Sequence, residues 1–151
     1  MPSFVKGPGA SWAPFGKNNF LRSTRGIKTE SYTLAASTVP TETINGVTGQ
    51  KVVQPGEVLA KITSGVDIGK VGPFMAGVTD GRQTLTNIVG LCRDWLPWQT
   101  IEHDCDVAAV YDASAVQAWC FERDAAGLRI ALTNTTADAM RGVKGMQVNF
   151  K

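Results

Sequence analysis

The chain has 151 residues, 43% hydrophobic and 19% charged, with a net charge of +2. That composition suits one globular domain plus an appendage and excludes a disordered or low-complexity chain. No apolar run approaches the ~20 residues of a membrane span, and the opening MPSFVKGPGA lacks the apolar centre of a secretory signal.

Residues 1–26 carry Pro2, Gly7, Pro8, Gly9, Pro14, Gly16 and Gly26 among the apolar residues Phe4, Trp12, Phe15, Phe20 and Leu21. Nothing there repeats at the period of a helix or a strand, so the segment buries no face of its own, while its anchors are too many for an inert tail. Such a segment orders on a partner. Residues 1–51 hold six lysines and arginines against two glutamates, and the remainder nine against eleven acids. This basic front is too sparse for a nucleic-acid arm and suits an acidic protein surface.

Next comes ESYTLAASTVP, Glu30 to Pro40. Tyr32, Leu34 and Ala36 alternate with Thr33, Ala35 and Ser37, and Pro40 ends the pattern. A strand is expected here, with no evident local partner. Asn45-Gly46 marks a turn. The domain boundary is expected near residue 50, with an extended arm over 1–50 and a β-rich body over 51–151.

The body opens on KVVQPGEVLAKI. Pro55 and Gly56 form a turn, then Val58, Ala60 and Ile62 share one strand face and Leu59 and Lys61 the other. A glycine-rich stretch with an Asp80-Gly81 turn leads to the strand TNIVGLC, where Gly90 marks a close backbone approach. DWLPWQT is an irregular loop carrying Trp95 and Trp98. DVAAVYDASAVQAWCFE reads as two strands about a turn at 112–114, and LRIALT as a strand or a helix. TTADAM reads as a short helix with Thr135 and Asp138 as a capping box and Gly142 as its stop. MQVNF closes as a strand.

The chemistry-bearing residues form no recognisable catalytic set. Cys92, Cys105 and Cys120 are odd in number and spaced for neither a disulfide framework nor zinc, so they read as reduced core residues. The run Glu102-His103-Asp104-Cys105-Asp106 cannot converge on one strand face and reads as a solvated turn. No phosphate-binding, nucleophile-elbow or zinc-helix motif occurs, so an enzyme, a cofactor and a metal are not expected. A biotinyl- or lipoyl-like barrel carrier would need Lys70 or Lys144 in a central hairpin, which neither occupies.

The ordered series PGEVLAKI, TDG, IVGLC, AAVYDASAVQAW and GVKGMQVNF resembles the head decoration proteins of tailed bacteriophages, the family of the lambda decoration protein D. The resemblance spans residues 52–151. It rests on Pro55 to Ala60, on Asp80-Gly81 before Val89-Gly90-Leu91, and on Gly145-Met146-Gln147-Val148 after a short helix. It implies a mainly β protein with a short C-terminal helix, a small β-barrel or β-tulip-like body behind a long extended N-terminal arm. It implies a homotrimeric structural virion protein on the outer capsid surface, a cement that binds the expanded head and steadies it against DNA pressure. The partner would be the major capsid protein, with no direct nucleic acid and no membrane. The arm would add Tyr32, Leu34, Ala36 and Val39 as a strand to a capsid sheet, anchored by Phe4, Trp12, Phe15 and Phe20. Trp95 and Trp98 would sit in the trimer interface. A phage tail or receptor-binding β module is the alternative from another class.

Overall fold

The computed structural model describes residues 20–23, 25–44, 46–142 and 147–150. It is mainly β with one short C-terminal helix, as expected. The strands are β1 (Lys28–Leu34), β2 (Thr41–Ile44), β3 (Val47–Lys51), β4 (Val58–Lys61), β5 (Val71–Pro73), β6 (Ile88–Cys92), β7 (Cys105–Ala115), β8 (Phe121–Arg123), β9 (Arg129–Ala131) and β10 (Gln147–Phe150), with α1 at Asn134–Gly142.

The main sheet has the order β1-β5-β4-β6-β7-β10, and β1 also pairs antiparallel with β7. Five strands therefore return on themselves as a small barrel, which closes through the single pair Leu34 and Val71. Closure buries both faces of the central strands, so β4 does not read as a half-exposed strand. Val58 and Ala60 join an outer core with Phe20, Leu91, Val110, Met140 and Phe150, which α1 and β10 cover. Leu59 joins an inner core with Leu34, Val53, Val71, Cys92, Val107 and Ala109. Two hairpins, β2–β3 and β8–β9, attach to this body.

A buried charge network ties the hairpins on. Arg123 and Glu57 are 1% and 0% exposed and form an ion pair through Arg123 Nε and Glu57 Oε1. Arg123 Nη2 donates to the Val52 carbonyl at 2.7 Å and Nη1 to the Gly127 carbonyl at 3.0 Å. Glu42 of β2 lies 2.7 Å from Arg123 Nη1 and 3.0 Å from Arg129 Nη2. Glu57 Oε2 in turn accepts from the Gln54 N–H at 3.0 Å, which fixes the Pro55-Gly56 turn.

Three expectations need correction, and one open alternative is resolved. The strand over 30–40 has a partner in its own body: β1 pairs with β7 from Leu34 opposite Cys105 to Lys28 opposite Asp112. Residues 20–51 thus belong to the body rather than to an arm, and residues 1–19 lie outside the described residues. The predicted turn at 112–114 is absent, because β7 runs unbroken for 11 residues with Ala113 and Ala115 buried. Of the strand or helix left open over LRIALT, residues 129–131 form strand β9. The helix cap is Thr133 rather than Thr135, since Thr133 Oγ1 accepts from the Thr136 N–H at 3.3 Å.

Gly90 fulfils its expectation. It bulges β6 with φ of +148°, and a Cβ there would stand 2.3 Å from the Val110 carbonyl oxygen of the neighbouring strand. Gly90→Ala is expected to cost about 3 kcal/mol or more through backbone strain and overpacking. Gly65→Ala, also at positive φ but with nothing within 4 Å, is expected to cost only about 1–2 kcal/mol. Urea unfolding midpoints of the two variants check the difference.

Candidate binding edge

The ladder on β1 is one-sided over most of its length. Even-numbered Leu34 is fully buried and Tyr32 packs against the inner core, while the odd-numbered side chains Thr29, Ser31 and Thr33 are exposed. Backbone groups alternate in the same way. The Ala35 N–H donates to the Val71 carbonyl at 2.9 Å, so odd positions aim their N–H and C=O away from β7. β5 meets β1 only at Leu34. The backbone groups of Thr29 and Ser31 therefore face outward, and no described strand pairs with them.

The even-numbered side chains nearer the strand start are polar, with Lys28 and Glu30 exposed and Tyr32 half-buried. The Tyr32 hydroxyl donates to Glu30 Oε2 at 3.0 Å. Partial burial, then the adjacent Glu30 carboxylate, push the Tyr32 hydroxyl up to about 12. It stays neutral and a donor throughout the physiological range. At the strand start Lys28 Nζ lies 3.5 Å from Asp112.

Beyond the far end of β1 lies the loop from Ile62 to Lys70. Lys70 Nζ donates to Asp104 Oδ2 at 2.6 Å and to Asp67 Oδ1 at 2.8 Å. Asp104 Oδ1 accepts from the Ala36 N–H at 2.9 Å, and Ser37 Oγ donates to Asp67 Oδ2 at 2.9 Å. Hydrogen bonds to Asp104 and then to Asp67 hold Lys70 well above its ordinary range. Those from Lys70 hold both carboxyls below theirs. Lys70 is thus a loop clamp, with its ammonium engaged on two sides; Lys144 lies outside the described residues.

The expected site residues separate into three groups. Phe4, Trp12 and Phe15 lie outside the described residues. Phe20, Leu34, Ala36 and Val39 are core residues between 0% and 7% exposed, so they cannot be anchors for a partner. This corrects their assignment, and the reason is that β7 and the inner core offer them apolar surface within the same body. Tyr32 stays half-buried at the edge, Trp95 is half-buried, and Trp98 is 41% exposed. The sequence signal for the edge was present in the alternation of residues 29–33, but the partner strand, seventy residues on, was not.

The run 102–106 is only in part a solvated turn, because Asp104 is a structural brace. Burial pushes the Cys105 thiol up, as it does those of Cys92 and Cys120, the last to about 12. None of the three is a ready nucleophile, and all are free thiols. Among the described residues no group of three or more His, Cys, Asp or Glu is placed to hold a metal ion. An open groove of about 680 Å³ is lined by Thr41, Glu42, Thr43, Thr48, Gly49, Leu128 and Arg129.

Comparison with protein-family models, with curated proteins and with solved structures finds no match.

The clamp has a defined pH range. Asp67 and Asp104 titrate below their ordinary range, so their contribution is complete above ~3.9, the unperturbed carboxylate value, and is lost as pH falls below it. Lys70 titrates above its ordinary range, so its contribution is complete below ~10.4 and is lost only at higher pH. Amide protection in residues 63–70, corrected for intrinsic exchange, is expected to hold through the neutral range and to fall at acid pH, below the unperturbed carboxylate value. Lys70→Met should show the loosened loop already at neutral pH.

Proposed function

We propose that this chain is a capsid decoration protein, a structural component that binds the outer surface of a tailed-phage head and stabilises it by joining one of its strand edges to the major capsid protein. The observation that carries the reading is the outward row of backbone groups at Thr29 and Ser31, flanked by exposed Thr and Ser side chains. A strand edge of this kind accepts an extended segment by main-chain hydrogen bonds. It also leaves the body intact, since β7 already holds the opposite edge of β1.

Two further features support it. The motif series that resembles the decoration proteins falls on successive joints of one body: the turn into β4, the Asp80-Gly81 turn before β6, then α1 and β10. The edge is preformed, so docking does not have to order both partners, and less backbone entropy is lost on binding. A ligand that binds only the assembled, expanded lattice stabilises that lattice by mass action. The capsid-contacting element differs from the sequence expectation. It is the open edge of β1 and not the side chains of Leu34, Ala36 and Val39.

The carrier alternative fits less well, because the Lys70 ammonium is held by two carboxylates at 2.6 and 2.8 Å. The decoration reading also assigns no catalytic step.

Ser31→Pro removes one donor from the open edge and none from the β7 ladder. It should leave circular dichroism and thermal unfolding nearly unchanged and abolish co-sedimentation with expanded heads of the phage that carries the chain. Tyr32→Pro, whose N–H points toward β7, should unfold the body instead. Head binding by Ser31→Pro at wild-type strength would remove the edge from the account. Binding to host cells with no binding to heads would favour a receptor-binding module.

A further inference from the structure

The outward backbone groups of Thr29 and Ser31 lack the usual guards. Natural edge strands are blunted by proline, by a bulge or by great shortness. β1 spans seven residues, KTESYTL, and contains neither proline nor glycine. The irregularity at its start puts the extra residue, Tyr111, on β7, since Lys28 lies opposite Asp112 and Thr29 opposite Val110. β1 itself is regular, and from Lys28 to Thr33 every side chain but Tyr32 is exposed.

Every solution of this protein holds a second strand of the same geometry, the β1 of another copy. Two copies related by a two-fold axis pair antiparallel through the same patch. Odd positions aim outward, so an odd position must meet an odd position. Three registers satisfy this over the exposed stretch. With the axis at Ser31, Lys28 of the second copy falls opposite Leu34, a place that Val71 already holds. With the axis at Glu30, the two Glu30 carboxylates stand opposite each other in a close, non-hydrogen-bonded pair, where like charges destabilise. With the axis at Thr29, each Lys28 stands opposite the Glu30 of the other copy, again in a close pair, and both side chains are exposed. Lys28 has Asp112 beside it and Glu30 accepts from the Tyr32 hydroxyl, yet an ammonium and a carboxylate each serve several partners. This register also ends without a clash. Gly26 of the second copy falls opposite Tyr32, and there the chain turns, with Gly26 at φ of +73°, so it leaves the ladder before reaching Val71.

We propose that β1 pairs with the β1 of a second copy across a two-fold axis at Thr29, held by main-chain hydrogen bonds and by two Lys28–Glu30 ion pairs, so that the free protein covers its own edge. The regulatory consequence rests on the decoration reading: self-pairing and head binding use one edge and exclude each other, so the edge is withheld from other strands until a head competes for it. The pairing itself is measured on the protein alone. A chain that dimerises without binding heads would contradict the decoration reading only, and one that binds heads without dimerising would contradict the pairing only.

The test is sedimentation equilibrium of the full chain, each variant first shown to keep the wild-type circular dichroism spectrum and thermal midpoint. The wild type should dimerise. Lys28→Glu and Glu30→Lys should each weaken dimerisation about tenfold or more, since each sets like charges opposite. Mixed in equal amounts, the two variants should recover it, because every opposed pair is then again a carboxylate and an ammonium. Ser31→Pro, which removes an outward N–H, should stay monomeric. In a mixture of isotope-labelled and unlabelled wild type, a filtered NOE should connect the Hα atoms of Lys28 and Glu30 in different copies, the close contact of a non-hydrogen-bonded pair. A wild type that is monomeric or a closed trimer in solution, a mixture no more associated than its components, Ser31→Pro dimerising as the wild type does, or an inter-copy contact between the two Glu30 residues would each overturn the proposal.

Discussion

The structure depends most on one buried pair, the Arg123 guanidinium against the Glu57 carboxylate. Both side chains are fully withdrawn from water. Desolvating two charges costs several kcal/mol each, and attraction between them offsets this only where the remaining hydrogen-bonding capacity is also met. Here most of it is. Arg123 reaches the carbonyls of Val52 and Gly127, and Glu57 takes the N–H of Gln54. Glu42 and Arg129 add a second pair at the rim, 13% and 12% exposed for the arginine and glutamate side chains. There the geometry is looser: Glu42 Oε1 makes close ionic contacts without an aligned hydrogen bond.

What the pair holds together explains its cost. Neither two-stranded hairpin has enough apolar surface to stand alone. β2–β3 carries exposed residues along most of its length, and β8–β9 has three-residue strands. A guanidinium with five donors in a fixed fork can address both hairpins and the turn between them at once, which an ammonium or an apolar side chain cannot. With the hairpins fixed, the Pro55-Gly56 turn is fixed, β4 enters the sheet in register, and the barrel closes at Leu34 and Val71. The free edge of β1 is a consequence of that closure. β5 is three residues long and leaves the rest of β1 uncovered, while the chain linking β4 to β5 must loop outward.

Local features of this fold were legible in the sequence, and non-local ones were not. Pro55-Gly56, Gly90, the helix near 135–140 and the β character of 58–62 and 105–111 all express preferences within a few residues, and they hold. The partner of residues 28–34 is some seventy-five residues distant, and alternation in a strand says which face is apolar without saying what covers it. The unbroken β7 was hidden for the same kind of reason. Asp112-Ala113-Ser114 has turn composition, but Lys28 opposite Asp112 and the parallel partner β10 hold it extended. Nothing local marks Arg123 and Glu57 as buried partners, since charged residues read as surface and the two lie 66 positions apart. Of the binding surfaces, the alternation of Thr29, Ser31 and Thr33 was visible, whereas the outward turn of their backbone groups required the position of β5.

The most direct test of this dependence is a double-mutant cycle on Arg123→Met and Glu57→Leu, with unfolding free energies from urea denaturation. Each single change deprives a fully buried charge of its closest partner, leaving only Glu42 beside Arg123 or Arg129 beside Glu57, and is expected to cost about 3 kcal/mol. The double change removes both charges and should cost well under the sum, with a coupling of about 2 kcal/mol or more. Additive costs, or single variants as stable as the wild type, would show that the hairpins are held by something else and contradict the central place given to this pair.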